Sequence, residues 1–207
     1  MKKFLIRIFT LSGLVLATQL YDAQKVIVNR EVETQNDGKM LLGNQLKDQF
    51  LKEPYSNWYV QEHDEYAVDE KAIAELRKKK INSYNITVFL GTWCEDSHRD
   101  FPRLMKILEQ VKYPENKLTI IAVNRKKESP TGDEGLYNIQ KVPTIIVQKY
   151  GKEIGRIVEM PTTGYIERDL VDILNKVDNN SFLFCRGNRN ATSVLWSEIL
   201  FQFRKQD

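Results

Sequence analysis

Cysteine and histidine are both scarce in this chain, with two of each among 207 residues. Two thiols allow one bridge at most, which excludes a disulfide-stapled scaffold. A centre built from three or four soft metal ligands has almost nothing to draw on. Cys94 and His98 lie close together, but His63 is far from both and no third ligand can be placed with them. Neither a metal nor any other cofactor is therefore expected. An excess of one charge is missing too: 31 basic residues face 28 acidic ones, for a net charge of +3. Their distribution shows neither a basic nucleic-acid footprint nor an acidic tail. There is no internal repeat and no low-complexity stretch. The apolar run Ile8–Ala17 has ten residues, against the roughly 20 that span a bilayer.

That run follows Met1-Lys2-Lys3 and Arg7. A positive segment ahead of a short apolar one is the pattern of a secretory signal peptide, here residues 1–23, with cleavage near Ala23 or Gln24. Removing its three cations and Asp22 leaves a net charge of +1. No cysteine lies in or just after it, so lipid attachment there is excluded. The expected address is outside the cytoplasm, most naturally a bacterial periplasm, with the membrane met only transiently through the signal peptide. The remainder, in a chain 42% apolar and 29% charged, suffices for one domain with appendages.

Residues 24–66 are mixed and polar, with Tyr55, Trp58, Tyr59 and Tyr66 bunched and no clean period. They read as an N-terminal extension packing on the domain. Asp69 can cap a helix to about Lys80, with Ala72, Ile73 and Leu76 inward. Ile86–Gly91 lacks alternation, as expected of a strand buried on both faces. Phe101, Leu104, Met105, Leu108 and Val111 form one apolar stripe on a helix from His98 to Val111. Lys117–Val123 is a second buried strand, leading into a charged loop from Arg125 to Glu134. Thr144–Lys149 and Gly155–Met160 read as a hairpin around a turn at Tyr150–Glu153. Thr163 can cap a last helix carrying Ile166, Leu170, Ile173, Leu174 and Val177. Residues 179–207 form a tail in which Leu195, Trp196, Ile199, Leu200 and Phe203 make an amphipathic helix, either docked on the domain or offered to a partner or membrane surface.

The most informative stretch is Trp93-Cys94-Glu95-Asp96-Ser97, set between the strand and the helix. A thiol at a helix N-terminus meets unpaired N–H groups and the positive end of the helix dipole, and both favour thiolate. Pro102 lies in the helix, and Val142-Pro143-Thr144 opens a later strand, with Pro143 forty-nine residues after Cys94. Strand, Trp-Cys-x-x-Ser, proline-bearing helix and distant Val-Pro-Thr together resemble the thioredoxin family, in its bacterial exported type. The resemblance covers residues 67–178. It implies an α/β, thioredoxin-like fold: a central mixed β-sheet flanked by helices, with N-terminal and C-terminal extensions.

The resemblance also implies a site. Family members carry a second cysteine where Ser97 stands and a cis-proline loop facing the first, so Cys94 and Ser97 take the catalytic positions. Trp93, Val142 and Pro143 take those that hold an extended client. A buried aspartate six residues before the first cysteine is replaced by Val88. With Ser97 unable to form a disulfide, Cys94 can begin thiol–disulfide exchange but needs an outside reductant thiol, or Cys185, to finish it. Partners are then disulfide- or thiol-bearing exported proteins. The function implied is monothiol, isomerase-like exchange; the alternative is a non-catalytic thioredoxin-like binding module in which Cys94 is structural.

Three neighbours modulate the thiol. Glu95 and Asp96 stabilise the first helical turn but, as like charges, oppose a thiolate beside them. Their effect and that of the helix dipole are each near 1 kcal/mol or less at exposed sites, so the sign stays open. His98, four residues on, either shares the face of Cys94 and favours thiolate or is a solvated surface residue. Cys185 sits in the apolar run Ser181–Cys185, and reads either as a buried thiol or as a partner for Cys94.

Overall fold

Ile86–Leu90 is apolar without alternation because the strand it forms is buried on both faces. A computed structural model describes residues 27–35 and 38–176; the expected signal peptide, Cys185 and the tail 179–207 lie outside the described residues. In chain order these residues form β1 (Arg30–Thr34), β2 (Gly38–Gln45), α1 (Ser56–Glu65), α2 (Glu70–Lys78), β3 (Asn85–Leu90), α3 (Glu95–Gln110), β4 (Leu118–Ala122), a single turn α4 (Asp133–Leu136), β5 (Thr144–Lys149), β6 (Lys152–Val158) and α5 (residues 166–176).

One six-stranded sheet runs in the order β1-β2-β4-β3-β5-β6. β3 pairs parallel with β4 and antiparallel with β5, and β6 returns antiparallel beside β5. The β3-α3-β4 crossover followed by the β5-β6 hairpin and α5 is the core of a thioredoxin-like fold, a mixed sheet flanked by helices. On one face Ile86, Val88, Leu90, Ile145 and Val147 meet Ile73 and Leu76 of α2, Phe101, Leu104 and Leu108 of α3, and Ile166, Leu170 and Leu174 of α5. On the other, Phe89, Ile121 and Ile146 are covered by Val123, Ile139 and Val142. Trp93 and Cys94 rest on this second, smaller cluster.

Within the expected extension 24–66, residues 38–66 do more than pack on the domain. β2 joins the sheet beside β4, with Gly43, Asn44 and Gln45 opposite Ala122, Ile121 and Ile120. Phe50, Tyr55 and Tyr59 are buried in the main core. Three such side chains contribute roughly 5 kcal/mol of burial, comparable to the whole net stability of a domain. The extension is thus part of the core. Its period is hidden because Met40 and Leu41, adjacent in β2, are both buried, and Gly43 interrupts the strand at φ +75°.

Elsewhere the differences are local. Asp69 caps α2, its Oδ1 accepting from the amides of Lys71 at 2.9 Å and Ala72 at 3.3 Å. α3 starts three residues earlier than expected, directly after Cys94. Its apolar stripe is buried as expected, and Ile107 is buried too; α1 packs on this helix through Tyr59 against Phe101. The hairpin turn is two residues, Tyr150 and Gly151, both at positive φ (52° and 75°), a geometry that matches the strand twist; β6 therefore begins at Lys152. Thr163 does not sit at the cap of α5, which begins at residue 166. The carboxylate of Asp169 instead reaches back to accept from the amides of Thr162 at 2.7 Å and Thr163 at 2.9 Å.

Candidate functional site

The chain leaves β3 through Gly91 and Thr92 and enters α3 with Cys94 as its N-cap residue, in an extended conformation at φ −109°, ψ 120°. The Cys94 amide donates to the Gly91 carbonyl at 2.9 Å and its carbonyl accepts from His98 N–H at 3.0 Å. Its side chain makes no cap bond. The thiol is half-buried and donates to the Val142 carbonyl oxygen, with Sγ 3.5 Å away. The Val142–Pro143 peptide is cis. Residues far apart in sequence thus meet at the C-terminal end of β3.

Ser97 is fully buried, and its Oγ accepts the Gly91 N–H at 3.2 Å. Its partner is therefore backbone, which ties the first turn of α3 to the end of β3. Trp93 donates Nε1–H to the Val123 carbonyl at 2.8 Å, fixing the indole over the end of β4. A Cβ on Gly91 would lie 2.6 Å from Trp93 Cε2, so only glycine lets the ring take this position. Arg125 and Lys127 lie over the indole at 5.2 and 5.9 Å from its centre.

The three expected modulators have different surroundings. Asp96 pairs with Arg99 at 2.9 Å; the same guanidinium grips buried Asp100 through two bonds of 2.8 and 2.9 Å. Hydrogen bonding to the Asp100 carboxylate is the first cause that holds the Arg99 guanidinium above its ordinary value. Glu95 is exposed and remains the carboxylate next to the thiol. The His98 ring is turned to other partners: Nε2–H donates to the Thr92 carbonyl at 2.8 Å, and the imidazole stacks on Trp58. Thr92 in turn accepts the Leu41 amide on its Oγ1 at 3.2 Å, so β2 and α1 both brace the turn that carries Cys94. The sequence hints at Trp58 only through the aromatic spacing Tyr55, Trp58, Tyr59; nothing in it marks the support from Leu41.

A cavity of about 450 Å³ lined by Arg77, Lys80, Asn82 and Lys117 lies at the far end of α3, roughly 24 Å from Cys94 by the length of that helix. Among the described residues no three His, Cys, Asp or Glu side chains converge to hold a metal ion. None of the described helices is long and apolar enough to cross a membrane.

No protein-family model matches the chain, and no curated protein matches it. Similar solved structures include a protein of unknown function from Pseudomonas aeruginosa, at 16% identity and a TM-score of 0.46, covering 60% of this chain and 84% of that one. Thioredoxin O2 from Arabidopsis thaliana in its oxidised state is 20% identical with a TM-score of 0.33, covering 52% of this chain and 84% of that one. Mitochondrial thioredoxin 3 from Saccharomyces cerevisiae, also oxidised, is 25% identical with a TM-score of 0.30, covering 44% of this chain and 82% of that one.

Proposed function

We propose that this is an exported, monothiol protein of thioredoxin type that engages disulfides or thiols of client proteins through Cys94. The observation that carries the reading is the half-buried thiol at the head of α3, 3.5 Å from the Val142 carbonyl and beside the cis Val142–Pro143 bond. Loss of the thiol proton to solvent frees a thiolate at a helix N-terminus, where backbone N–H groups favour it. The thiolate attacks one sulfur of a client disulfide. The client S–S bond breaks, a new S–S bond joins Cys94 to the client, and the second client sulfur leaves as thiolate with the bonding electrons. Ser97 offers no sulfur to break the mixed disulfide. An external thiolate, or another thiolate of the client, then attacks the client sulfur of the mixed disulfide; that S–S bond breaks and Cys94 leaves as thiolate, which suits isomerisation more than net reduction.

Export rests on residues 1–23, and the clients are accordingly exported proteins. The carboxylate of Glu95, which has no ion-pair partner among the described residues, beside a thiol already bonded to a carbonyl favours the second reading, a binding module with a structural cysteine. Alkylation kinetics separate the two. A purified protein whose Cys94 reacts with maleimide at neutral pH as fast as a free thiol, and which traps a peptide disulfide as a stable adduct, supports exchange. A thiol protected in the folded state and exposed only by denaturant sinks it.

A further inference from the structure

We infer that the cavity at the far end of α3 is a binding site for a phosphate group, separate from Cys94 and independent of what that thiol does. Arg77, Lys80 and Lys117 all line it, and no acidic residue does. Like charges gathered around one cavity repel one another, and an anion between them relieves that repulsion. Two of the three cations are already held in place by backbone. Arg77 Nη2 donates to the Gln110 carbonyl at 2.6 Å, and Lys117 Nζ to the Asn82 carbonyl at 2.7 Å. Each bond orders the side chain and leaves further N–H groups for a ligand. The ammonium of Lys80 has no partner among the described residues. Its backbone is fixed at φ 55°, with its amide on the Arg77 carbonyl at 3.0 Å and the Ser83 amide on its own carbonyl at 2.8 Å. Ordering of this kind before a ligand arrives lowers the cost of binding.

Two features of this end of the domain oppose an anion, and neither cancels the three charges. The first is the pair of helix C-termini, of α2 and α3, each worth about half a negative charge. The last carbonyls of α3 are covered: Arg77 takes that of Gln110, and Asn82 Nδ2 donates to those of Val111 at 3.3 Å and Lys112 at 3.0 Å. The second is the set of carboxylates on the surrounding elements. Glu75 pairs with Lys78 at 3.6 Å, Glu109 with Lys47 and His63, and Glu153 with Arg156 at 2.5 Å. Glu115 and Asp172 are exposed and have no ion pair among the described residues. Lys112 and Lys176, exposed near them in sequence, carry the opposite charge. Three full charges against about one from the helix ends leave the cavity positive.

A phosphate group answers this lining. Its several acceptor oxygens match one guanidinium fork and two ammonium groups, and charge-assisted bonds of this type are about twice as strong as neutral ones. The volume of about 450 Å³ is that of a site for an organic ligand rather than a bare ion. The phosphate therefore carries a small body, which faces the apolar wall made by Ile81 and Val111. Two sources present the same chemistry: a free phosphate ester, or the phosphate of an anionic lipid headgroup.

The test uses the protein as purified from cells. Inorganic phosphate and glycerol phosphate are titrated calorimetrically against chloride at constant ionic strength, and cosedimentation is measured with phosphatidylglycerol and phosphatidylcholine vesicles. The expected result is saturable binding of phosphate in preference to chloride, weakened about tenfold by Lys80→Asn, the factor that loss of one charge-assisted bond gives. Asparagine tolerates the left-handed backbone, so this variant keeps its fold and should leave the reaction of Cys94 with maleimide unchanged. Lys117→Gln is the second variant and should weaken binding in the same sense. Phosphatidylglycerol vesicles bound over phosphatidylcholine ones, and released by Lys80→Asn, assign the headgroup. Binding of the free phosphates without vesicle binding that depends on Lys80 assigns a free ester. No preference for phosphate over chloride together with none for phosphatidylglycerol overturns the inference, as does binding that both variants leave unchanged. Neither of these results touches the exchange reading at Cys94.

Discussion

The imidazole of His98 lies flat on the indole of Trp58, with ring centres 4.3 Å apart and planes 13° from parallel. Nε2 is at the same time committed to the Thr92 carbonyl. His98 is thereby a brace between α1, α3 and the turn ahead of Cys94. His98→Ala removes one hydrogen bond and one ring contact, and should cost about 1–3 kcal/mol in a thermal or denaturant melt. The rate at which Cys94 is alkylated should change by less than about threefold, since the ring has no bond to the thiol. A tenfold drop in thiol reactivity with unchanged stability would instead make His98 the electrostatic partner of Cys94.

Ser97 sits where a second thiol would complete a dithiol site, and Ser97→Cys tests what that position withholds. The variant loses the Gly91 N–H acceptor, at a cost of about 1 kcal/mol. It should gain reduction of insulin disulfides with dithiothreitol by at least about tenfold, because an internal thiol replaces an external one. Equal turnover in both proteins would mean that resolution never depended on position 97.

The thiol turn was legible because its signal is local: an apolar strand, Trp93-Cys94, an amphipathic helix, and the loop proline Pro143. The cap at Asp69 and the stripe from Phe101 to Val111 were legible for the same reason, since a cap acts within its own first turn and i, i+3, i+4 spacing follows directly from helix geometry. What stayed hidden depends on distant pairing. Nothing within residues 38–45 says that they will lie against Leu118–Ala122, because consecutive buried residues and Gly43 erase the alternation. The Trp58–His98 stack and the placing of Arg125 and Lys127 over Trp93 arise only once α1, α3 and β4 are assembled. The reach of Asp169 back to Thr162 and Thr163 was obscured by the ordinary rule that the residue before a helix caps it.

Gly91 is fixed by the ring it faces. An added methyl would lie within 2.6–2.9 Å of three Trp93 ring atoms, so Gly91→Ala must displace the indole or the backbone. Overpacking of this kind costs about 1–3 kcal/mol. Displacement also breaks the Nε1–H bond to Val123 and loosens the turn that presents Cys94. A red-shifted Trp emission together with faster alkylation of Cys94 is the expected pair of readouts. Unchanged emission and stability would mean that the ring has room that the structure does not show.

Acid should loosen the entry to α5. Asp169 is buried, which by itself opposes ionisation. The hydroxyl and amide of Thr163 and those of Thr162 outweigh this, holding its carboxyl below the ordinary 3.8. A depressed carboxylate contributes stability that is present above its unfolded value and lost as pH falls through its lower folded value. Glu109 behaves in the same sense: burial opposes its charge, but bonds from Lys47 and His63 prevail. The melting temperature should therefore decline as pH drops below about 4. Asp169→Asn keeps the shape but surrenders the charge-assisted bonds, at a cost of about 1–3 kcal/mol at neutral pH. That gap should close towards pH 2, giving the variant a shallower acid slope, as followed by melts across the pH range. Parallel slopes in the two proteins would place the acid lability elsewhere than at Thr162, Thr163 and Asp169.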